Sequence, residues 1–194
     1  MTRSYNHLVA ASVNPRLDNL LGSLSMNLAE EGQRALERAS GLTGAATAAL
    51  LALGEFLGDA HVGRVADALG LTHSGAVRLV TLLERNGLAE RHTGGDRRRV
   101  EVRLTTKGYR RAREARAARD TLVRSATSGL SAAEAETLEA LLAKLVSAQV
   151  AGRLERRRAG EAGAWWCRTC DFAACDRPAG RCPAQQTGAQ PLSQ

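Results

Sequence analysis

Aromatic side chains are scarce in this chain, making up 3% of its 194 residues, whereas 44% are hydrophobic. A core built from Ala, Leu and Val suits packed helices better than a β-sandwich, so the composition predicts a mainly α protein. Long apolar runs are also missing. The N-terminal MTRSYNHLVAAS has no sustained apolar stretch, and the longest run, around 45–53, falls far short of the ~18 residues that cross a bilayer. This predicts a cytoplasmic protein with no membrane partner. No Ser-His-Asp arrangement, paired carboxylates or Gly-rich phosphate loop stands out, and His7, His61, His73 and His92 are scattered. Enzyme chemistry is not expected. Finally, cysteine is absent until Cys167.

What is present begins with charge. The formal charge is +7, and the segment from Arg85 to Arg119 holds 12 basic and 4 acidic residues, leaving 15 and 16 for the rest of the chain. A local basic excess on an otherwise balanced protein is what a polyanion-binding face needs, because each neutralised phosphate releases counterions. A solvated helix face gives the same count, so the charge needs structural support.

That support comes from patterning. Asn14 and Pro15 open a helix whose leucines at 17, 20, 21, 24 and 28 share one face, and which ends before Gly41. A second, Ala-rich helix runs from Thr43 to about Leu53, with Gly54 and Gly58 loosening the chain after it. From His61 to Arg91 two helical patterns flank Gly70-Leu71-Thr72, which predicts a helix-turn-helix. Thr72 can cap its second helix, on which His73, Ser74, Val77, Arg78 and Thr81 face outward, groups suited to a major groove. His73 is the one histidine expected at a groove. Two alternating stretches, 88–92 and 99–104, flank Thr93-Gly94-Gly95-Asp96 and predict a β-hairpin whose tip carries Arg97, Arg98 and Arg99. Such a tip can hold a guanidinium toward a minor groove.

At this point the chain resembles the MarR (multiple antibiotic resistance regulator) family over about 17–150. The resemblance rests on Asp96-Arg97-Arg98, on the run from Val100 through Leu104 to Lys107-Gly108, and on Arg78 and Leu83-Glu84 before Asn86-Gly87-Leu88. It implies a DNA-binding transcriptional regulator acting as a homodimer on a palindromic double-stranded operator, with repression the expected sign and a small-molecule effector. It also implies that Asp96 braces the wing by pairing with Arg97 or Arg98, while a neighbouring arginine enters the minor groove. Val77 departs from the family's usual small hydroxyl residue, which points to a thymine-methyl contact instead.

Beyond the wing, a basic helix starts at Thr106, and Ser131-Ala132-Ala133-Glu134 is a capping box before a helix striped by Leu138, Leu141, Leu142, Leu145 and Val146. That stripe and the one on the first helix are expected to meet, within a subunit and across a two-fold axis. Arg156-Arg157-Arg158 and the sequence GEAGA read as a linker. Cys167, Cys170, Cys175 and Cys182 follow, separated by two, four and six residues. In a reducing cytosol such a cluster reads as metal ligands or redox thiols. Its spacing suits a zinc site or an iron–sulfur cluster and does not separate them. Arg168, Arg177 and Arg181 would offset the charge of either.

The expected fold is therefore mainly α with a small β-hairpin wing, a winged helix-turn-helix joined to N- and C-terminal dimerisation helices. The expected units are a dimerisation helix (1–41), the winged helix (42–105), C-terminal helices (106–155), and a linker with the cysteine tail (156–194). The alternative is a winged-helix protein-interaction module whose tail is a structural zinc site.

Overall fold

A computed structural model describes residues 14–93, 100–161 and 163–188. Asp96, Arg97, Arg98 and Arg99, the residues expected at the wing tip, and His7 lie outside the described residues.

Helix α1 spans Pro15–Ser40, with Asn14 Oδ1 accepting from Leu17 N–H at 3.1 Å and Gly41 closing it in the left-handed region at φ 71°. This is the Pro-start, Gly-stop pattern legible in the sequence. Helix α2 (Ala45–Ala52) is nearly all buried and runs on into a π-helical turn at Leu53–Leu57. Gly54 thus sits inside this turn and does not loosen the chain. A Cβ there would stand 3.2 Å from the Cβ of Ala112, so its absence lets a later helix press close.

Strand β1 (Ala60–His61) precedes α3 (Val62–Leu69), and α4 follows at His73–Arg85. Strands β2 (Ala89–Thr93) and β3 (Val100–Leu104) pair antiparallel with Arg91 opposite Val102. The sheet has three strands in the order β1-β3-β2, one more than the hairpin expected. A two-residue strand leaves no alternating pattern to read.

Helix α5 spans Thr106–Thr127 and α6 Ala132–Arg158, the latter opened by the predicted Ser131–Glu134 capping box. Arg156, Arg157 and Arg158 therefore form the last turn of α6 and not a linker; basic residues there complement the helix dipole. A 3-10 turn (Trp166–Thr169) and the short α7 (Pro183–Thr187) complete the described chain.

The main core lies in the winged helix, where Leu50, Leu53, Val65, Val80, Leu83 and Val102 are almost fully buried. Within the chain α1 packs chiefly along α5, and α6 along α7. The intrachain meeting of α1 with α6 expected from their leucine stripes is replaced by these pairings. Both stripes stay open: Leu20 on α1 is 54% exposed and Leu142 on α6 46%. No single described helix is long and apolar enough to cross a membrane.

Candidate nucleic-acid interface and cysteine module

Helix α4 begins at a cap in which Thr72 Oγ1 accepts from Gly75 N–H at 3.1 Å, and the Ser74 hydroxyl lies 3.2 Å from the same oxygen. Ala76, Leu79, Val80 and Leu83 are buried, which turns His73, Ser74 and Arg78 fully outward and leaves Val77 and Thr81 half-buried. The five residues expected to face a groove thus share the face of α4 opposite the core. Thr81 is already engaged: Arg91 of β2 donates to its Oγ1 at 3.2 Å and forms an ion pair with Glu84. Sequence reasoning missed Arg91, because its partners lie across the α4–β2 turn.

The same is true of the wing's base. Arg103 on β3 grips Asp59 through two hydrogen bonds, 2.7 and 3.1 Å, tying the sheet to the segment before β1. The Arg103 hydrogen bond holds the Asp59 carboxyl below its ordinary range. His92 is half-buried against Glu101, 3.3 Å away, and His61 Nδ1 caps α3 by accepting from Arg64 N–H at 2.9 Å. His61 stays at the surface while capping, whereas His92 is not fully exposed. The Leu104-to-Gly108 run also acquires a role. Thr105 Oγ1 donates to Gly87 C=O and Lys107 Nζ to Asn86 C=O, both at 2.8 Å, so the start of α5 locks the end of α4. A Cβ on Gly108 would come within 2.0 Å of Leu88 O, so only glycine fits there.

The cysteine segment is no loose tail. Trp165 N–H donates to Ala68 C=O at 2.8 Å, and the main chain of Ala164 lies against Gly70, where any Cβ would collide with it. Phe56, from the π turn, stacks with two rings of the tail, Trp165 at 5.7 Å and Phe172 at 5.2 Å between centroids. Arg64 lies over the Trp165 ring at 4.5 Å and Arg177 over the Phe172 ring at 4.6 Å. Glu55 accepts from Phe172 N–H at 2.7 Å and pairs with Arg116 of α5, while Arg119 donates to Thr169 C=O. On its other side the module packs Cys182 and Ala184 against Val150 of α6.

The four thiols stand as two pairs. Cys175 Sγ donates to Cys182 Sγ at 3.3 Å, with Cys182 buried. The hydrogen bond Cys170 receives from Cys167, together with Arg119, Arg177 and Arg116, draws its thiol down to about 7. That same bond pushes the Cys167 thiol up, and burial pushes Cys175 up to about 12. Among the described residues no group of three or more His, Cys, Asp or Glu side chains stands in metal-holding geometry. Of the three arginines interleaved with the cysteines, Arg177 donates toward Cys167 Sγ at 3.9 Å, whereas Arg181 pairs with Asp176 and Arg168 with Trp165 C=O. The remaining positive charge comes from Arg116 and Arg119 on α5, 50 positions upstream in the case of the Arg119–Thr169 bond.

Residues 40–99 match the MarR family model. The fold is similar to that of YusO from Bacillus subtilis, at 25% identity and TM-score 0.61 over 68% of this chain and 92% of that one. It is also similar to a MepR variant from S. aureus bound to an oligodeoxyribonucleotide, at 25% identity and TM-score 0.54 over 69% and 97%. Apo MarR from E. coli aligns at 25% identity and TM-score 0.50 over 64% and 96%. No curated protein matches the sequence.

Proposed function

We propose, from the premise that the winged helix of this chain is that of the MarR family, that the protein is a cytoplasmic, homodimeric transcriptional regulator that represses genes by binding a palindromic operator. Members of that family are transcription regulators and not enzymes. The observation that carries the reading is the α4 face: His73, Ser74 and Arg78 exposed on one side of a helix whose opposite side is locked in the core, in a fold shared with a MepR structure that holds an oligodeoxyribonucleotide. Short polar groups beside one long guanidinium suit base edges and nearby phosphates. The open stripes on α1 and α6 support the dimer, since two rows of half-exposed leucines need a partner surface. Titration against operator and scrambled duplex at several salt concentrations tests this reading. A steep salt slope with preference for one sequence is expected; equal, weak affinity for all duplexes would favour the protein-interaction alternative.

The finer part of the proposal concerns the thiols. Brought around one centre, the Cys167–Cys170 and Cys175–Cys182 pairs would together hold an iron–sulfur cluster or a zinc ion, which would supply a redox-responsive or a structural centre respectively. Their two pairs influence one another's charge, and Arg119, Arg177 and Arg116, though engaged elsewhere, lie near enough to favour the Cys170 thiolate. Because the module touches both α6 and the winged helix, loading it would bias the angle between dimer and DNA-binding lobe. Metal and acid-labile sulfide content of protein purified without oxygen tests the centre. Operator affinity of loaded and stripped protein tests the coupling, with a difference of ~1–3 kcal/mol expected.

A further inference from the structure

A cleft of about 1020 Å³ opens between the end of α6, helix α3 and the cysteine module. All but three of its lining residues lie at or beyond Val150, past the residues 40–99 that match the MarR family model. Its chemistry is one-sided. Arg64, Arg153, Arg157, Arg158 and Arg177 line it against a single carboxylate, Asp67. A cavity of about 150 Å³ suffices to admit a benzene ring, so the cleft has room for several rings' worth of ligand. Arg64 and Arg177 are already laid on Trp165 and Phe172, but together with Arg153, Arg157 and Arg158 they carry more charge than a monocarboxylate would neutralise. They suit two or more phosphates, which arginine grips in bidentate fashion.

Two further features define the rest of the ligand. Trp165 is already engaged, by Phe56 and by Arg64. Trp166 beside it is 36% exposed, with Arg153 6.0 Å from its ring. It therefore presents an aromatic surface at the cationic edge, the arrangement on which a base stacks while its phosphates reach arginine. Among the described residues, Gln185 Oε1 is a buried acceptor without a partner, and Gln185 lines the same cleft. Its Oε1 is covered as it stands, so a donor such as the exocyclic amino group of a base reaches it once the Gln185 amide turns toward the cleft.

We propose that this cleft binds a nucleotide bearing two or more phosphates, its base against Trp166 and Gln185 and its phosphates among the arginines of α6 and α3. Resting on the regulator reading above, the ligand is an effector: it bridges Arg157 on α6 to Arg64 on α3 and so alters how the DNA-binding lobe sits on the dimer helices.

The chain carries its own reporter, because its two tryptophans both line the cleft. Full-length protein is titrated with ATP, adenosine, inorganic tripolyphosphate and benzoate, read by tryptophan emission and calorimetry. Saturable binding of one ATP per chain is expected, with adenosine and tripolyphosphate each weaker by roughly tenfold or more. Trp166→Ala and Arg157→Ala, both at exposed or half-exposed positions, should weaken ATP by a similar factor at unchanged circular dichroism and oligomeric state. The assignment is overturned by no saturable binding at millimolar ATP, by tripolyphosphate binding as tightly as ATP, or by benzoate competing on equal terms. Operator affinity is measured separately with and without ATP. Binding of ATP that leaves operator affinity unchanged overturns the effector role. Failure of the protein to bind any operator while ATP still binds overturns the regulator reading and supports the cleft assignment.

Discussion

The ring of Phe56 stacks on that of Phe172 with centroids 5.2 Å apart and planes 8° apart, joining the end of α2 to a segment between the second and third cysteines. Stacked on Trp165 as well, Phe56 is the point at which the winged helix grips the thiol module. Both phenylalanines of the chain and one of its two tryptophans are spent on this one contact. In a chain so poor in aromatics, that concentration marks the joint between lobe and module.

Phe56→Ala should therefore release the module while leaving the winged helix folded. Removing a partly buried aromatic from a stack costs about 2–3 kcal/mol. The expected result is faster protease cleavage between residues 159 and 175, with unchanged protection of α3 and α4 in hydrogen exchange. Equal cleavage rates in wild type and variant would show that the stack does not hold the module.

Arg78 and Arg91 should separate contact from support. Arg78→Ala removes an outward guanidinium and should cost ~1–3 kcal/mol of operator binding with relaxed preference at one or two base pairs. Arg91→Ala releases Thr81 and leaves Glu84 unpaired on α4, so it should weaken binding to all sequences alike. Binding curves against an operator and its single-base variants distinguish the two patterns.

Substituting either open stripe should break the dimer. Leu21→Arg on α1 or Leu142→Arg on α6 would place a charge in the subunit interface, giving a monomer that no longer binds a palindromic site. Sedimentation velocity reads the outcome; an intact dimer in both variants removes these helices from the interface.

The wing's base should respond to acid. Because Arg103 holds the Asp59 carboxyl below its ordinary 3.8, the stabilisation from this pair is complete at neutral pH and is lost as pH falls through the lowered folded value. Chemical shifts of β3 amides should follow that titration in wild type and lose it in Asp59→Asn. The pair is half-exposed, so its effect should also shrink with added salt.

In metal-free protein the thiols should differ in reactivity. Cys170, drawn to about 7, should be alkylated first, at a rate rising through neutral pH, while Cys175, pushed to about 12, lags. Timed iodoacetamide labelling with peptide mapping measures the order. Simultaneous labelling of all four would contradict the two-pair arrangement.

Local patterns carried much of this architecture. Asn14-Pro15 and Gly41 bound α1, Ser131 and Glu134 cap α6, and Thr72 caps α4, all visible in sequence because a helix end satisfies its orphan groups with near neighbours. The outward set on α4 was likewise legible, since a period of 3.6 assigns its faces once the buried residues are known. Gly54 misled because a glycine spared for close packing against Ala112 looks the same as one that ends a helix. Arg156 to Arg158 misled because a charge run before glycines resembles a linker as closely as a helix end.

By itself, then, the sequence determined the helices and their caps, the winged-helix pattern, the basic segment and the clustering of four thiols, each a matter of neighbours within a few residues. Only the tertiary structure decided that Arg91 supports Thr81, that Arg103 holds Asp59, and that the cysteine segment is clamped onto the winged helix through Phe56, Ala68 and Glu55. These are contacts between residues far apart in the chain. No periodicity records them, because they exist only once the burial of Leu50, Val80 and Leu83 has fixed where each helix lies.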